Sequence, residues 1–315
     1  MKRYVLRRLA LALPTLGLVS VIVFAMMRLM PGDVVLRMVE GQAYAPTIDA
    51  LRRELGLDRP AYVQYLDWMR GIVLHGDFGQ SYWTRQPILD EFARRFPVTL
   101  ELAALTILIS VVIGVLVGIV SAVRQDSVSD YVGRVVAIFA LSVPYFGLAV
   151  LVVVLPSIYF RWTPVWTYVP FTAGPLENLK IMLVPALVFG VTRAGPIMRI
   201  TRSALLDVLR QEYIRTAWSK GLSERAIVLR HALRNALIPV ISLIGLQTPL
   251  YLGGSVIVES IFRLPGVGLF FFEALTRLDY PVVQSVNLII ASLVVGLNLI
   301  IDLAYAFLDP RIRYR

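Results

Sequence analysis

Long apolar stretches, separated by short polar segments, run through most of the chain. A transmembrane helix needs about 20 consecutive apolar residues, and five uncharged stretches come close to that length. A sixth contains Arg193, whose charge costs ~2.5 to 3.5 kcal/mol at the centre of a span but less near one end. The pattern predicts six transmembrane helices, at about residues 9–29, 99–123, 133–160, 180–200, 236–258 and 282–307.

Composition agrees with a membrane protein. Of 315 residues, 57% are hydrophobic and 17% are charged, and the mean hydropathy is +0.72. No ordinary soluble domain of this size sustains such values on its surface. The sequence shows neither an internal repeat nor a second soluble domain. We therefore expect an all-α integral membrane protein whose residues 1–315 form a single transmembrane domain.

Basic residues are placed as a membrane topology requires. The net charge of +10 would suggest a nucleic-acid partner in a soluble protein, but here Lys and Arg bracket the apolar stretches, as the positive-inside rule describes. The distribution predicts that both termini are cytoplasmic and that no nucleic acid is bound. It also makes residues 30–98 an extracytoplasmic insertion between the first two spans, where apolar spacing predicts short helices at residues 47–55 and 60–74.

Catalytic chemistry has few candidates in this sequence. There is no cysteine, and the two histidines, His75 and His231, lie on opposite sides of the membrane in this topology, so they do not predict a metal site. No glycine-rich phosphate loop is present. The carboxylates closest to the spans, Glu101 and Asp302, lie near predicted helix ends, which argues against a proton relay. We expect no catalytic residue, metal, cofactor or ATP in this chain, and no enzyme activity.

Residues 200–235, called the basic loop below, carry the most specific pattern. Apolar residues recur at helical spacing up to Leu209, and good helix formers continue to Lys220. Gly221 suits the left-handed residue that ends a helix, and Ser223 suits the N-cap of a new one. The pattern predicts a helix, a sharp corner and a second helix. Charge and helicity alone fit both a rigid lever that docks a partner and a solvated juxtamembrane loop.

Two stretches, EYIRTAWSKG within the basic loop and RHALRNALIP at its end, resemble the EAA loop of ATP-binding-cassette importer permeases in the peptide, opine and nickel branch. Thr216, Ala217 and Gly221 keep the family spacing, with Thr in one alanine position. His231 and Arg234 depart from the general pattern in the way of that branch. Nearly the whole chain resembles its B-type subunit, through MKRYVLRRLALALPTLGLVSVIVFAMMRLMPGD, GDFGQS, RFPVTLELA, SVPYFGLAV, ESIFRLPGVG and LAYAFLDPRIR.

The resemblance implies a fold, partners and a direction of transport. It implies the six-helix type I importer fold in a bacterial or archaeal cytoplasmic membrane, paired with a homologous C-type permease. Two cytoplasmic ATPase subunits would bind ATP and Mg, and an extracytoplasmic solute-binding protein would deliver cargo to residues 28–97 and 259–284. Dipeptides or oligopeptides are the expected cargo, while nickel chelates, opines and glutathione stay open. A secondary, ion-coupled carrier would instead need a coupling site within the spans and no ATPase loop.

The same resemblance assigns coupling to the corner of the basic loop. Trp218 and Leu222 are expected to contact the ATPase, although they could instead pack against the underside of the helix bundle. Ala217 is expected to be small because the partner surface approaches closely. The coupling residues are Glu212, Tyr213, Arg215, Thr216, Ala217, Trp218, Lys220, Gly221, Leu222, Ser223 and Glu224.

Polar residues of the spans are candidates for the translocation path. Arg193 could attract a substrate carboxylate or extend to the inner membrane surface. The others could equally make interhelical hydrogen bonds worth ~0.6 kcal/mol. Gly114 and Gly118 form a Gly-x-x-x-Gly pair, which indicates close helix packing rather than a pore role. The path candidates are Ser142, Tyr145, Arg193, Gln247, Thr248, Tyr251, Ser255 and Asn298.

Overall fold

The chain is mainly helical in the part that the computed structural model describes, residues 2–39, 48–161 and 167–308. No strand occurs in these ranges, which confirms the predicted all-α fold. The helices are α1 (Lys2–Leu29), α2 (Val34–Val39), α3 (Ile48–Glu54), α4 (Ala61–Arg70), α5 (Ile88–Val123), α6 (Val128–Ser142), α7 (Tyr145–Phe160), α8 (Pro175–Leu209), α9 (Glu212–Ser219), α10 (Glu224–Ala226), α11 (Leu233–Phe262), α12 (Val267–Thr276) and α13 (Tyr280–Leu308). Two π-helical segments, Gly71–His75 and Ile227–Ala232, extend α4 and α10.

Within the described residues, five helices are long and apolar enough to cross a membrane: α1, α5, α8, the helix that runs from α10 into α11, and α13. A sixth candidate is the pair α6 and α7, which is bent by 90°. The predicted span at residues 133–160 is therefore not one straight helix. Because Pro144 disfavours helical backbone at the residue before it, Val143 is extended, with φ −85° and ψ 121°, and α7 restarts after the proline.

Helix α5 begins earlier than the span predicted near residue 99. It starts at Ile88 and runs through Pro97 to Val123. Ile88 and Phe92 lie one turn apart and are both buried, and two acidic residues in the first turn complement the helix dipole. Burial of this first turn extends the helix beyond the stretch that a membrane alone would require.

The chain divides into two compact units. The first consists of residues 1–99 and 265–315. The helices predicted at residues 47–55 and 60–74 are present as α3 and as α4 with its π-helical extension; residue 47 itself lies outside the described residues. The core of this unit contains Val34, Val35, Leu51, Ile88, Phe92, Phe270, Val282 and Val286.

Asp279 joins two distant stretches of the first unit. Its carboxylate accepts a hydrogen bond from the Ser81 hydroxyl at 2.5 Å and one from the Tyr82 backbone N–H at 3.1 Å. Nearby, the indole N–H of Trp83 donates to the Arg277 carbonyl at 3.2 Å. Burial raises the pKa of Asp279 above its ordinary value. Parts of both segments that the sequence assigns to a binding protein thus share one hydrogen-bonded joint.

The second unit consists of residues 100–264 and is centred on α8, which packs against α6 and α11. A Cβ atom on Gly114 would lie 2.7 Å from the Cβ of Ile197, and one on Gly118 would lie 2.7 Å from the Cβ of Thr201. Helices α5 and α8 therefore pack with almost no side chain between them at these points. This confirms the packing role predicted for the glycine pair.

Candidate functional site

Within the basic loop, the helix breaks between α8 and α9. Helix α8 ends at Leu209, and Gln211 is extended, with ψ 151°. The Gln211 carbonyl accepts from the backbone N–H of Ile214 at 3.0 Å and of Arg215 at 3.3 Å, which begins α9. The prediction that the helix continues to Lys220 is wrong here. The break reorients α9 so that Ile214 becomes fully buried, and this burial favours two helices over one.

The corner of the loop has the predicted geometry. Gly221 has a φ of +74°; its N–H donates to the Trp218 carbonyl at 2.9 Å, and the Leu222 N–H donates to the Ala217 carbonyl at 3.4 Å. These two bonds form a Schellman motif, which needs a left-handed residue and therefore favours glycine. Ser223 takes the predicted N-cap position with extended backbone, but its side chain makes no capping hydrogen bond.

One face of α9 is part of the protein core. Ile214 is fully buried and Ala217 is only 7% exposed. Because packed cores do not accept added volume without strain, Ala217 must be small for the packing of this chain itself. This packing requires a small residue in addition to the predicted approach of a partner surface, which stays a prediction. The cluster around the two residues contains Ala122 of α5, Leu205 and Val208 of α8, Ile227, Val228 and Ala232 of the π-helical segment, and Ala236 of α11.

The other face of α9 is open. Trp218 of α9 is 49% exposed, and Leu222, which follows α9 at the Gly221 corner, is 37% exposed. We call these two side chains the outer face. The Tyr213 hydroxyl accepts from the Asn235 amide at 2.8 Å, which fastens this edge of α9 to α11. The remaining coupling candidates, Glu212, Arg215, Thr216, Lys220, Gly221, Ser223 and Glu224, are all exposed.

A buried ion pair anchors the end of α8 that belongs to the basic loop. The Asp130 carboxylate accepts two hydrogen bonds from the Arg202 guanidinium, each of 2.8 Å, one from the backbone N–H of Asp126 at 3.0 Å and one from the Ser121 hydroxyl. Arg134 lies 3.5 Å from the same carboxylate. Sequence reasoning missed this network because its two main partners are 72 positions apart. The only local signal was an acid in the first turn of α6.

Three path candidates come together in the second unit. The guanidinium carbon of Arg193 lies 5.8 Å from the ring centroid of Tyr145 and 5.9 Å from that of Tyr251. The same carbon lies 5.3 Å from the ring centroid of Phe189, which the sequence did not single out. Its position one turn before Arg193 was the available signal. We call Tyr145, Phe189, Arg193 and Tyr251 the arginine–aromatic cluster.

The other path candidates are placed differently. The hydroxyls of Ser142, Thr248 and Ser255 each donate to a carbonyl of their own helix, at 2.8 to 2.9 Å, which satisfies them without a ligand. Gln247 is buried in α11. Asn298 belongs to the first unit, where it lines a groove of about 660 Å³ between α1 and α13. Among the described residues, no three His, Asp or Glu side chains are grouped to hold a metal ion.

Comparison with known families covers nearly the whole chain. Residues 114–314 match the family described as binding-protein-dependent transport system inner membrane component. Residues 1–103 match the N-terminal region described for the membrane component of such systems. The two matches together include both units and the basic loop.

Individual relatives align with the chain from end to end. A Brucella abortus (strain 2308) protein, provisionally named a peptide transport system permease, is 40% identical over 314 residues. The dipeptide transport system permease protein DppB of Escherichia coli (strain K12) is 37% identical over 339 residues. The di/tripeptide transport system permease protein DppB of Pseudomonas aeruginosa (strain UCBPP-PA14) is 38% identical over 337 residues. Each alignment covers 100% of this chain and 100% of the relative.

Proposed function

Because this chain belongs to the family of binding-protein-dependent transport system inner membrane components, we propose that it is the permease subunit of an ATP-driven importer of dipeptides or tripeptides. The relatives named for dipeptides and for di- and tripeptides align over their full length. This supports small peptides over nickel chelates or opines. The permease itself hydrolyses nothing; two partner ATPases supply the energy.

The two faces of α9 carry the proposal. The inner face, through Ile214 and Ala217, is packed into α5, α8 and α11, so a displacement of α9 must move those helices or break the cluster. The outer face presents Trp218 and Leu222 to solvent. A helix that is fixed inside and apolar outside transmits the motion of a docked partner by a shear movement of packed elements. We assign the outer face to the ATPase.

The remaining partners follow from the same assignment. In a bacterial cytoplasmic membrane, α6 and α7 together make one broken span, which gives six spans and two cytoplasmic termini. Residues 30–98 then face outwards. The joint between Ser81 and Asp279 stiffens the surface that receives the solute-binding protein. A homologous C-type permease completes the translocation path.

Paired alanine substitutions test ATPase docking. Leu222→Ala and Trp218→Ala change the outer face of α9, whereas Leu229→Ala removes a leucine that is 49% exposed in the same loop but outside the coupling residues. All three should fold, because none of these side chains is buried. Ala217→Asp is unsuitable, since it would bury a charge in the core.

The measurements are co-purification of the ATPase subunits and ATP-dependent uptake of a labelled dipeptide by the complete complex in proteoliposomes. We expect Leu222→Ala and Trp218→Ala to lower ATPase co-purification and dipeptide uptake each by at least about tenfold, which corresponds to about 1.4 kcal/mol of docking energy. Leu229→Ala should match the unmodified protein. Normal co-purification and uptake by both outer-face variants would refute the docking assignment. Dipeptide uptake driven by an ion gradient without ATP would identify a secondary carrier instead.

A further inference from the structure

Arg193 is a charged residue in a span that lacks a counterion within this chain. It lies in α8, inside a candidate membrane span, where an ionised side chain is costly and usually pairs with an acid or lines a path. Among the described residues, no Asp or Glu lies within ion-pair distance of Arg193. Structural stabilisation by charge pairing therefore does not explain this residue.

Three rings from three helices hold the guanidinium inside the unit. Tyr145 comes from the start of α7, Phe189 from α8 and Tyr251 from α11, with centroids 5.3 to 5.9 Å from the guanidinium carbon. A side chain that extended to the membrane surface would be surrounded by water and headgroups rather than by three aromatic residues. The cluster therefore argues against the surface alternative.

The rings leave the hydrogen-bonding capacity of Arg193 unused. Cation–π attraction acts through the faces of the rings, whereas the five N–H donors of a guanidinium lie in its plane. Arg193 makes no hydrogen bond within the described part of the chain. A planar fork of this kind matches a carboxylate bidentately, and an aromatic surround with one charged group is typical of small-molecule sites.

The positions of the rings are fixed by neighbours. The ring of Phe189 contacts those of Tyr145, with centroids 5.0 Å apart, and Tyr251, at 6.1 Å. The Tyr251 hydroxyl lies 3.2 Å from the Ser110 hydroxyl. Tyr145 reaches the cluster because the chain breaks at the preceding proline, and broken helices line the substrate sites of many transporters.

We propose that the arginine–aromatic cluster binds the carboxylate of the transported solute, with Arg193 as the binding residue and the three rings as its walls. The proposal rests on the proposed function, from which the solute is a peptide and the carboxylate its C-terminal group. It adds a specificity element to the permease itself, distinct from selection by a solute-binding protein.

Substitutions on α8 test the site in the complete complex in proteoliposomes. Arg193→Gln removes the charge, Arg193→Lys keeps it without the planar fork, and Arg199→Gln removes an exposed arginine from the same helix as the matched control. Two quantities are measured for each: ATP hydrolysis stimulated by the peptide-loaded binding protein, and uptake of a labelled dipeptide. A coupling or folding defect lowers both, whereas a lost binding residue lowers uptake alone.

We expect Arg193→Gln to lower dipeptide uptake at least about tenfold with stimulated ATP hydrolysis retained, because hydrogen bonds to a charged group are strong. Uptake by Arg193→Lys should lie between that of Arg193→Gln and that of the unmodified complex. Arg199→Gln should match the unmodified complex. The proposal would be overturned if Arg193→Gln left uptake unchanged or lowered ATP hydrolysis in parallel with uptake. It would also be overturned if Arg199→Gln lowered uptake as much as Arg193→Gln.

A second measurement separates this inference from the proposed function. Thermal unfolding of the purified permease complex, without binding protein, is followed with a dipeptide and with its C-terminal amide. We expect the dipeptide alone to raise the unfolding midpoint, and Arg193→Gln to abolish that rise. An equal rise with dipeptide and amide refutes the carboxylate site. If the unmodified complex shows no ATP-dependent uptake but the dipeptide alone still raises the unfolding midpoint, only the proposal of peptide import is refuted.

Discussion

Arg202 and Arg193 lie on the same helix, and their surroundings differ. Arg202 makes two hydrogen bonds to a fully buried carboxylate, so its charge joins α8 to α6. Arg193 is surrounded by three aromatic rings, and no Asp or Glu of the described residues lies within ion-pair distance of it. A charge that serves the fold is satisfied by the fold, whereas a charge without a partner inside the chain is available to a partner from outside. The end of α8 near Arg202 is therefore structural, and the region around Arg193 is the better candidate for transport.

Removal of the charge of Asp130 should have the largest effect on stability. Asp130→Asn leaves Arg202 and Arg134 without their buried carboxylate, and the loss of one partner of a buried pair costs about 3 to 5 kcal/mol. The free energy of unfolding, followed in detergent by denaturant titration, measures the change. Asp207→Asn makes the same substitution at an exposed residue of α8 and should cost less than about 0.5 kcal/mol. Equal effects would show that Asp130 is not an anchor.

Added volume at Ala217 should have the next largest effect. Ala217→Leu inserts three carbon atoms into the cluster under α9, and overpacking of this kind costs about 1 to 3 kcal/mol. The unfolding free energy is measured as before. Thr216→Leu adds a similar apolar group on the exposed side of the same helix and should change stability little. If Ala217→Leu were tolerated as well as Thr216→Leu, the inner face of α9 would not be a fixed lever.

The sequence predicted those features whose cause is local. The residue type of Gly221 alone predicted its left-handed conformation, and the four-residue spacing of Gly114 and Gly118 predicted close helix packing. Pro144 carried a signal for the bend between α6 and α7, but transmembrane helices often tolerate proline, so the apolar run outweighed it. The pairing of Asp130 with Arg202 has no local signal, because it depends on how α6 and α8 pack.

Substitution of Gly254 tests the walls of the arginine–aromatic cluster. Its added Cβ would lie 2.8 Å from the Cζ of buried Phe189 and 3.5 Å from an Nη of Arg193, so Gly254→Ala must displace the ring. Displacement costs about 1 to 2 kcal/mol, partly offset by the helix preference of Ala over Gly, about 1 kcal/mol. We expect a small net loss of stability and a clear loss of dipeptide uptake.

Gly253 provides the control for this substitution. Apart from the adjacent backbone of α11, no atom lies within 4 Å of the Cβ that Gly253→Ala would add. Only the helix preference therefore acts, and stability should rise by up to about 1 kcal/mol. Identical behaviour of Gly253→Ala and Gly254→Ala in both unfolding and uptake would mean that the ring of Phe189 is free to move and that the cluster has no fixed shape.

The smallest effect on stability is expected for Arg193→Gln. The variant loses cation–π contacts worth roughly 0.5 to 1 kcal/mol each at exposed sites but relieves the cost of a charge in a span, so the unfolding free energy should stay within about 1 kcal/mol. Arg202→Gln, the same change on the same helix, strands Asp130 and should cost about 3 kcal/mol or more. If Arg193→Gln were as destabilising as Arg202→Gln, Arg193 would be a structural charge with a partner inside the fold. A stable Arg193→Gln protein that no longer imports the dipeptide would instead show that the two arginines have different roles. The charge of Arg202 would be needed for folding, whereas the charge of Arg193 would be needed for transport alone.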